Sequence, residues 1–384
     1  MRILITAPWG QSLGGAEAML ESVLKGGRER GHELDVVFFE DGPWPAQLRA
    51  AGHEVEVLSV GRVRELHRWG ATVAHLTRLL RRRRPDLMLN WAAKTQLYGS
   101  PAATLAGMAD RVVWWQQAIP RRLWLDVWAT RLPAAAIGCY SNAAAEAQAR
   151  LSPARRTFVV AAGAPVPDES QPPADIELPA DVPVVGLVGR MQPWKGQDRL
   201  LRAHALLRER GHAMHTLIVG GDAYGLSAEY ADSIPALVEE LGLGEQVTLT
   251  GQVPDAGPYM ARMDVLVNAS DPEPFGIVLL EGMARGVAVL AVASGGPKDF
   301  IDDGRTGVLA RSGEPAALAD ALEPLLGSPQ RRSELARAGR ESFMRDFTET
   351  AMCERFFTQM GLVLDDVRAR SGPVRRGSGH AQRS

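Results

Sequence analysis

Two sets of short apolar runs, each alternating with longer amphipathic segments, stand on either side of a proline-dense stretch, PVPDESQPPADIELPADVP at residues 165–183. Alternation of this kind is the pattern of parallel strands joined by crossover helices, with the sheet covered on both faces. In the first set RILITAP, ELDVVFF, EVEVL, DLMLNW, RVVWW and AAIGCYS read as strands, with helices over 15–30 and near 71–84. In the second set PVVGLVG, HTLIVGG, QVTLTG, VLVNAS and VAVLAVA read as strands. Helices are expected there over 197–210, 232–241, 279–285, 315–327 and 329–345, with a last one near 348–367. The six prolines of the seam remove backbone donors and fix φ, so that stretch reads as a linker. The expectation is an α/β chain of two doubly wound parallel-sheet domains, 1–165 and 184–347, joined by linker 166–183. The helix at 348–367 and a basic, disordered tail at 368–384 follow.

The 384 residues suffice for two cores, and a hydrophobic share of 46% excludes a disordered chain. No stretch approaches the ~18 uninterrupted apolar residues of a membrane span. MRILITAPWG has one arginine and a short apolar run, so it reads as a buried strand rather than a secretion signal. Cys139 and Cys353 are too far apart in sequence for a paired zinc motif or a disulfide framework, and a reducing compartment is the simple reading. Charge is divided unevenly: residues 1–165 hold 21 Lys/Arg against 14 Asp/Glu, and residues 166–384 hold 22 against 31. Only four of the cations are lysines (Lys25, Lys94, Lys195 and Lys298), so each merits a reason.

Chemistry concentrates at three strand-to-helix junctions. After the first strand, Gly14-Gly15-Ala16-Glu17 opens a helix, where small residues and free helix amides admit a phosphate. This is not G-x-G-x-x-G, and no acid closes the second strand, which disfavours a nicotinamide site. After strand 184–188, the run Gly189-Arg190-Met191-Gln192-Pro193-Trp194-Lys195-Gly196 places two cations at a strand's C-terminal end, where open α/β sheets bind ligands. An arginine fork and a lysine point charge suit a diphosphate. After VLVNAS, Glu273 and Glu281 flank Pro274-Phe275-Gly276-Ile277-Val278, with Glu273 in the loop and Glu281 on the helix that starts near Val278. Amides of Gly276–Val278 are then free for an anion, and Glu281 can accept from a ribose diol. A paired-carboxylate hydrolase is the rival reading, poorly matched by one loop and one helical acid. Ser294-Gly295-Gly296-Pro297-Lys298-Asp299 forms a further glycine turn that could line the same cleft.

GRMQPWKG, EPFGIVLLE followed by GMARG, and SGGPKDFIDDGRTG, together with GGAE and the SNAAAEA segment at 141–147, resemble the retaining GT-B glycosyltransferases of family four. The resemblance spans residues 1–360 and is strongest over 184–310. It implies a GT-B fold of two Rossmann-like domains facing a central cleft, with a nucleotide-sugar donor held mainly by the second and the acceptor by the first. By position, Arg190 and Lys195 would hold the diphosphate and neutralise the leaving group, and Glu273 would contact the donor sugar as a positioning and electrostatic residue. Glu281 would bind ribose, the Phe275, Gly276, Ile277 and Val278 backbone would meet sugar and phosphate, and Gly14 and Gly15 would approach from across the cleft. Thr250–Val253 would flank the base, and the last helix would cross back to the first domain. No bound metal or cofactor is implied, the two cations standing in for one, and the sequence has no Asp-x-Asp. The implied reaction is sugar transfer with retention to a carbohydrate or lipid-linked acceptor, as in glycan, exopolysaccharide or glycolipid synthesis. A nucleotide-sugar 2-epimerase on the same architecture, or a catalytically degenerate binding module, is the alternative.

Relatives often carry a histidine in the N-terminal domain near the sugar. Here the corresponding regions read Asn90-Trp91-Ala92-Ala93 and Trp114-Trp115-Gln116-Gln117. Asn90, Trp91, Trp115, Gln116 and Gln117 are therefore acceptor-side candidates; the amides can hydrogen-bond but cannot exchange a proton at neutral pH. Tryptophans at such positions stack on sugars, although core packing is the commoner use. Arg81-Arg82-Arg83-Arg84 ends a helix, where it either complements the dipole on a solvated face or binds anionic lipid. With the arginine pairs 121–122 and 155–156 and the basic first half, the second choice places the protein in the cytoplasm, peripheral to the inner membrane face. No nucleic-acid motif accompanies the charge.

Overall fold

The computed structural model describes residues 1–371 except Leu13, Arg62, Val63, Arg122, Ala223, Tyr224 and Leu226. Two all-parallel sheets organise it. The first contains β1 (Arg2–Ala7), β2 (Glu33–Phe38), β3 (Glu54–Val57), β4 (Leu87–Asn90), β5 (Val112–Gln116), β6 (Ala136–Cys139) and β7 (Thr157–Val159), in the order β3-β2-β1-β4-β5-β6-β7. The second contains β8 (Val184–Val188), β9 (His215–Val219), β10 (Val247–Leu249), β11 (Val265–Asn268), β12 (Ala288–Val292) and β13 (Val308–Ala310), in the order β10-β9-β8-β11-β12-β13. Buried runs such as Ile3–Ile5 and Val289–Val292 explain why the central strands were legible: both faces are covered, so the residues are apolar without alternation.

Helices of the first domain are α1 (Gly15–Glu29), α2 (Pro43–Ala50), α3 (Leu66–Arg83), α4 (Ala93–Leu105), α5 (Trp124–Arg131) and α6 (Asn142–Leu151). Those of the second are α7 (Gln197–Glu209), α8 (Ala228–Glu240), α9 (Gly257–Met260), α10 (Ile277–Ala284), α11 (Pro315–Leu326) and α12 (Pro329–Asp346). None of the described helices is long and apolar enough to cross a membrane. The sequence reading lacked α2, α4, α5, α6, α9, β7 and β13. The two strands are three-residue edges, too short for a period, and α4 carries Pro101 within it with no amphipathic stripe.

The final helix, α13 (Glu349–Ser371), extends past the expected end at 367 and takes Arg368 and Arg370 into its last turn. From Gly372 onward the expected tail lies outside the described residues. Residues 160–183 form no helix or strand but are docked rather than free: Ala174 N donates to Pro258 O at 2.9 Å, and Gln171 Nε2 donates to Asp255 Oδ2 at 2.7 Å. Helix α13 returns to the first domain and lies on α1. Gly26 and Gly27 make that approach possible, since a Cβ there would sit 2.5 Å from Cys353 Sγ and 2.7 Å from Phe357 Cζ. Phe356 continues the seam into the core of the first sheet, 5.4 Å from the Trp115 ring.

Four of the eight arginines considered for lipid binding have side-chain partners among the described residues. Arg83 pairs with Asp35 at 2.8 Å, Arg81 donates to Leu105 O at 2.6 Å, Arg155 donates to Ala134 O at 3.0 Å, and Arg156 pairs with Asp366. Arg84 takes the left-handed C-cap of α3 with φ 45°. Arg81 and Arg83 thus tie the end of α3 to α4 and to the β2–β3 edge, while Arg82 and Arg84 are exposed. Arg122 of the other pair lies outside the described residues.

Candidate active site

The loop after β8 is stitched to the end of β9: Gly189 N donates to Val219 O and Met191 N to Gly221 O. Lys195 N then donates to Gln192 O at 2.9 Å, closing a turn, and Gly196, at φ 78°, turns the chain into α7. This presents Lys195 Nζ 4.0 Å from the centroid of the Trp194 ring and 3.0 Å from Glu273 Oε2. Arg190 is half-buried in the same loop, and among the described residues no carboxylate lies within ion-pair distance of it.

Glu273 is reached from β11. Asn268, its last residue, donates Nδ2 to Glu273 Oε2 at 3.2 Å and accepts Ser270 N on Oδ1 at 2.9 Å, which folds the loop back on the strand end. Burial alone would raise the Glu273 carboxyl, but the Lys195 charge and the hydrogen bonds from Lys195 and Asn268 overcome it and hold the group below its ordinary value. It is therefore an anion at neutral pH. The loop is clamped from behind by the 294–299 turn: Gly296 N donates to Glu273 O at 2.9 Å, and a Cβ on Gly295 would lie 2.0 Å from that same oxygen. Gly276, at φ 98°, starts α10. Phe275 turns its ring inward, 5.1 Å from Phe300, so only its backbone faces the cleft. Amides of Ile277 and Val278 open the helix with no protein acceptor among the described residues.

Glu281 lies one turn further along α10. Burial pushes its carboxyl up to about 7, with Arg285 pulling it down and Asp255 pushing it up. Among the described residues no group donates a hydrogen bond to this carboxyl, which leaves it available to a ligand hydroxyl. Asp255 follows the 250–253 segment, whose Gly251 O accepts Gly220 N at 3.0 Å from the loop after β9. The first domain meets this site at Gly15, where a Cβ would lie 2.7 Å from Ile277 Cδ1. Gly14, the extended N-cap of α1, stands beside it. A second bridge joins Asn142 N of α6 to Asp299 Oδ2 at 2.7 Å. Lys195 and Glu273 are thus in direct contact and Gly15 meets Ile277 at the start of the same helix, with Arg190 in the Lys195 loop and Glu281 one turn along α10.

The acceptor-side candidates divide. Asn90 is fully buried, accepting from Thr6 Oγ1 and donating to Gln96 Oε1, both at 2.7 Å. Trp91 and Trp115 are also buried and stack on each other with centroids 5.3 Å apart at 10°. These three lie in the core of the first sheet, covered by the helices that follow their strands. Gln116 and Gln117 do reach a cavity of about 700 Å³. The strand-end reading missed most of its wall: Trp9, Arg64, Lys94, Tyr98 and Trp124. Lys94, one of four lysines and next to the Asn-Trp-Ala-Ala segment, was the available signal.

Residues 169–342 match the family described as Glycosyl transferases group 1. A D-inositol 3-phosphate glycosyltransferase of Nocardia farcinica is 40% identical over 176 residues, covering 45% of this chain and 38% of that protein. The lipopolysaccharide core biosynthesis glycosyltransferase LpsE of Rhizobium meliloti is 31% identical over 183 residues, covering 48% of this chain and 51% of that protein. The chain thus spans about half the length, or less, of these curated relatives. In fold, HepE from Anabaena, solved in complex with UDP, superposes with a TM-score of 0.80 at 23% identity, covering 94% of this chain and all of that one. The sucrose-phosphate synthase of Thermosynechococcus elongatus gives 0.76 at 22% identity, over 96% of this chain and 99% of that one. Residues 169–342 thus carry the match to Glycosyl transferases group 1, and the chain as a whole has the GT-B fold.

Proposed function

We propose that the protein is a glycosyltransferase that moves a sugar from a nucleoside-diphosphate sugar to a hydroxyl acceptor, with retention and without a bound metal. The observation that carries this reading is the Lys195–Glu273 pair at 3.0 Å, with Arg190 in the same loop as Lys195 and without an ion-pair partner among the described residues, and with the Ile277 and Val278 amides opening the helix that follows Glu273. A diphosphate leaving group develops charge as the glycosidic bond breaks, and fixed cations and amides aimed at it lower the barrier. Lys195 is held by a buried carboxylate and an indole face, so its charge is delivered without reorganisation. Glu273, an anion beside the sugar position, stabilises positive charge developing on the ring and orients its hydroxyls. Glu281 takes the ribose diol. The acceptor enters from the first domain, at the cavity that Gln116 and Gln117 help to line. Work at the inner face of a membrane, in glycan or glycolipid assembly, belongs to this proposal.

The test is a donor screen by calorimetry and by slow release of nucleoside diphosphate, using uridine-, guanosine- and adenosine-diphosphate sugars. One base should give saturable binding and slow hydrolysis. Absence of binding and hydrolysis with every donor at millimolar concentration would overturn the reading.

A further inference from the structure

The cavity of about 700 Å³ in the first domain lies at the C-terminal ends of β1, β4 and β5 and is walled mainly by apolar and aromatic groups. Its position relative to the donor loop is fixed by packing. Gln116, Gln117 and Ala118 form one wall, and the next residue, Ile119, packs on Gly295, within 3.1 Å of where a Cβ would sit. Gly295 is in turn bridged to Glu273. An acceptor seated here would present a hydroxyl to the sugar end of the cleft.

Lys94 is the unusual feature of that wall. It is half-buried, with Nζ 4.6 Å from the centroid of the Trp9 ring, and among the described residues no carboxylate lies within ion-pair distance. The charged groups that face it or line the cavity are Arg64, Asp126 and, more remotely, Glu40. Asp126 Oδ2 is engaged by Arg121 N at 3.0 Å, and among the described residues neither it nor Glu40 comes within ion-pair distance of Lys94. Burial lowers the Lys94 ammonium from its ordinary value and the Glu40 charge only partly offsets this. A half-buried cation without a counter-ion costs free energy that an anionic ligand would return. The amides of Ala93 and Lys94 open α4 at the same wall; Ala92 has no side-chain oxygen to cap them, and Thr95 Oγ1 instead accepts Ala92 N. The Trp9 indole offers a flat apolar face for the carbon skeleton of a ring.

We propose that this cavity seats a phosphorylated polyol or sugar as the acceptor, with Lys94 taking the phosphate and the Trp9 face taking the ring. The proposal rests on the transferase reading above. The phosphate can belong to a free polyol phosphate or to a phospholipid headgroup. The mouth of the cavity is lipped by Trp124, 62% exposed, with Leu123 and Trp128 also exposed nearby, and the experiment therefore separates the two sources.

The full chain, with the donor found in the screen, is given matched acceptors with and without phosphate: inositol and inositol 3-phosphate, glycerol and glycerol 3-phosphate. Phosphatidylinositol vesicles are run against vesicles of a neutral glycosyl diacylglycerol, which offers ring hydroxyls without a phosphate. Sugar transfer to the phosphorylated member should exceed transfer to its neutral partner by about tenfold or more, the worth of one charge-assisted contact. Preference in the soluble set identifies a free phosphate; preference in the vesicle set alone identifies a headgroup. Lys94→Met should collapse the preference, and Lys94→Arg should restore much of it, which a purely structural role for Lys94 would not do. If the wild-type protein binds and hydrolyses a donor but treats phosphorylated and neutral acceptors alike, or if Lys94→Met keeps the preference, this proposal fails while the transferase reading stands. Failure of the donor screen itself would instead remove the transferase reading.

Discussion

Lys195 Nζ and Glu273 Oε2 lie 3.0 Å apart, and both side chains are largely buried, at 18% and 8% exposure. Removing one member leaves the other charge buried and unpaired, a change that costs on the order of 3 kcal/mol at such sites. Lys195→Ala should therefore lose stability as well as slowing sugar transfer by about 100-fold or more. The double variant Lys195→Met/Glu273→Gln should recover most of the melting temperature and none of the turnover. Thermal unfolding and a transfer assay on the three variants separate the two roles; near-normal turnover in Lys195→Ala would remove Lys195 from the mechanism.

Glu281 carries a pH signature. Its carboxyl is raised to about 7 by burial, and in the proposed donor site the ionised form is the one that would accept ribose hydroxyls. Donor affinity should rise as pH increases through about 7. The stability effect has the opposite sign. A carboxyl raised in the folded state contributes stability that is present below its unfolded value, near 4.5, and is lost as pH rises through about 7. Glu281→Gln should thus gain on the wild type in melting temperature between pH 5.5 and pH 8, about one unit either side of neutral, while binding donor more weakly at the upper end. Parallel unfolding and calorimetric titrations at the two pH values check both.

Gly295→Ala should damage the site without touching a charged group. Its Cβ would meet the Glu273 carbonyl at 2.0 Å, and its φ of 79° is unfavourable for alanine. The Glu273 loop must move, so turnover should fall at least about tenfold, while strain of this kind costs about 1–3 kcal/mol of stability. An alanine variant with wild-type kcat would show that the clamp is not what positions Glu273.

Cys139 and Cys353 should be inert in the native protein. Burial pushes their thiols up to about 12 and about 11, and neither side chain is exposed. A thiol-reactive chromophore at pH 8, on the order of three units below those values, should label both only on unfolding. Rapid labelling of Cys353 would instead report that α13 detaches from α1.

The linear chain was enough to reveal the two parallel sheets and to single out the strand-to-helix loops proposed as the donor side. Central strands of a covered sheet must be apolar throughout, and loops that turn close to phosphate must carry glycine with a cation or acid at fixed offsets. Both requirements are local, so they leave a local trace. Tertiary structure decided the rest. Whether Lys195 faces solvent or Glu273 depends on a residue 78 positions away. Asn90, Trp91 and Trp115 resemble Gln117 in position along the sequence, but packing by the helices placed them in the core and left Gln117 at the cavity. Trp9, Arg64, Lys94 and Trp124 come from four separate segments, and only the fold makes them one wall. Strand ends specify where a ligand can bind; which side chains meet it is set by the packing of elements distant in sequence.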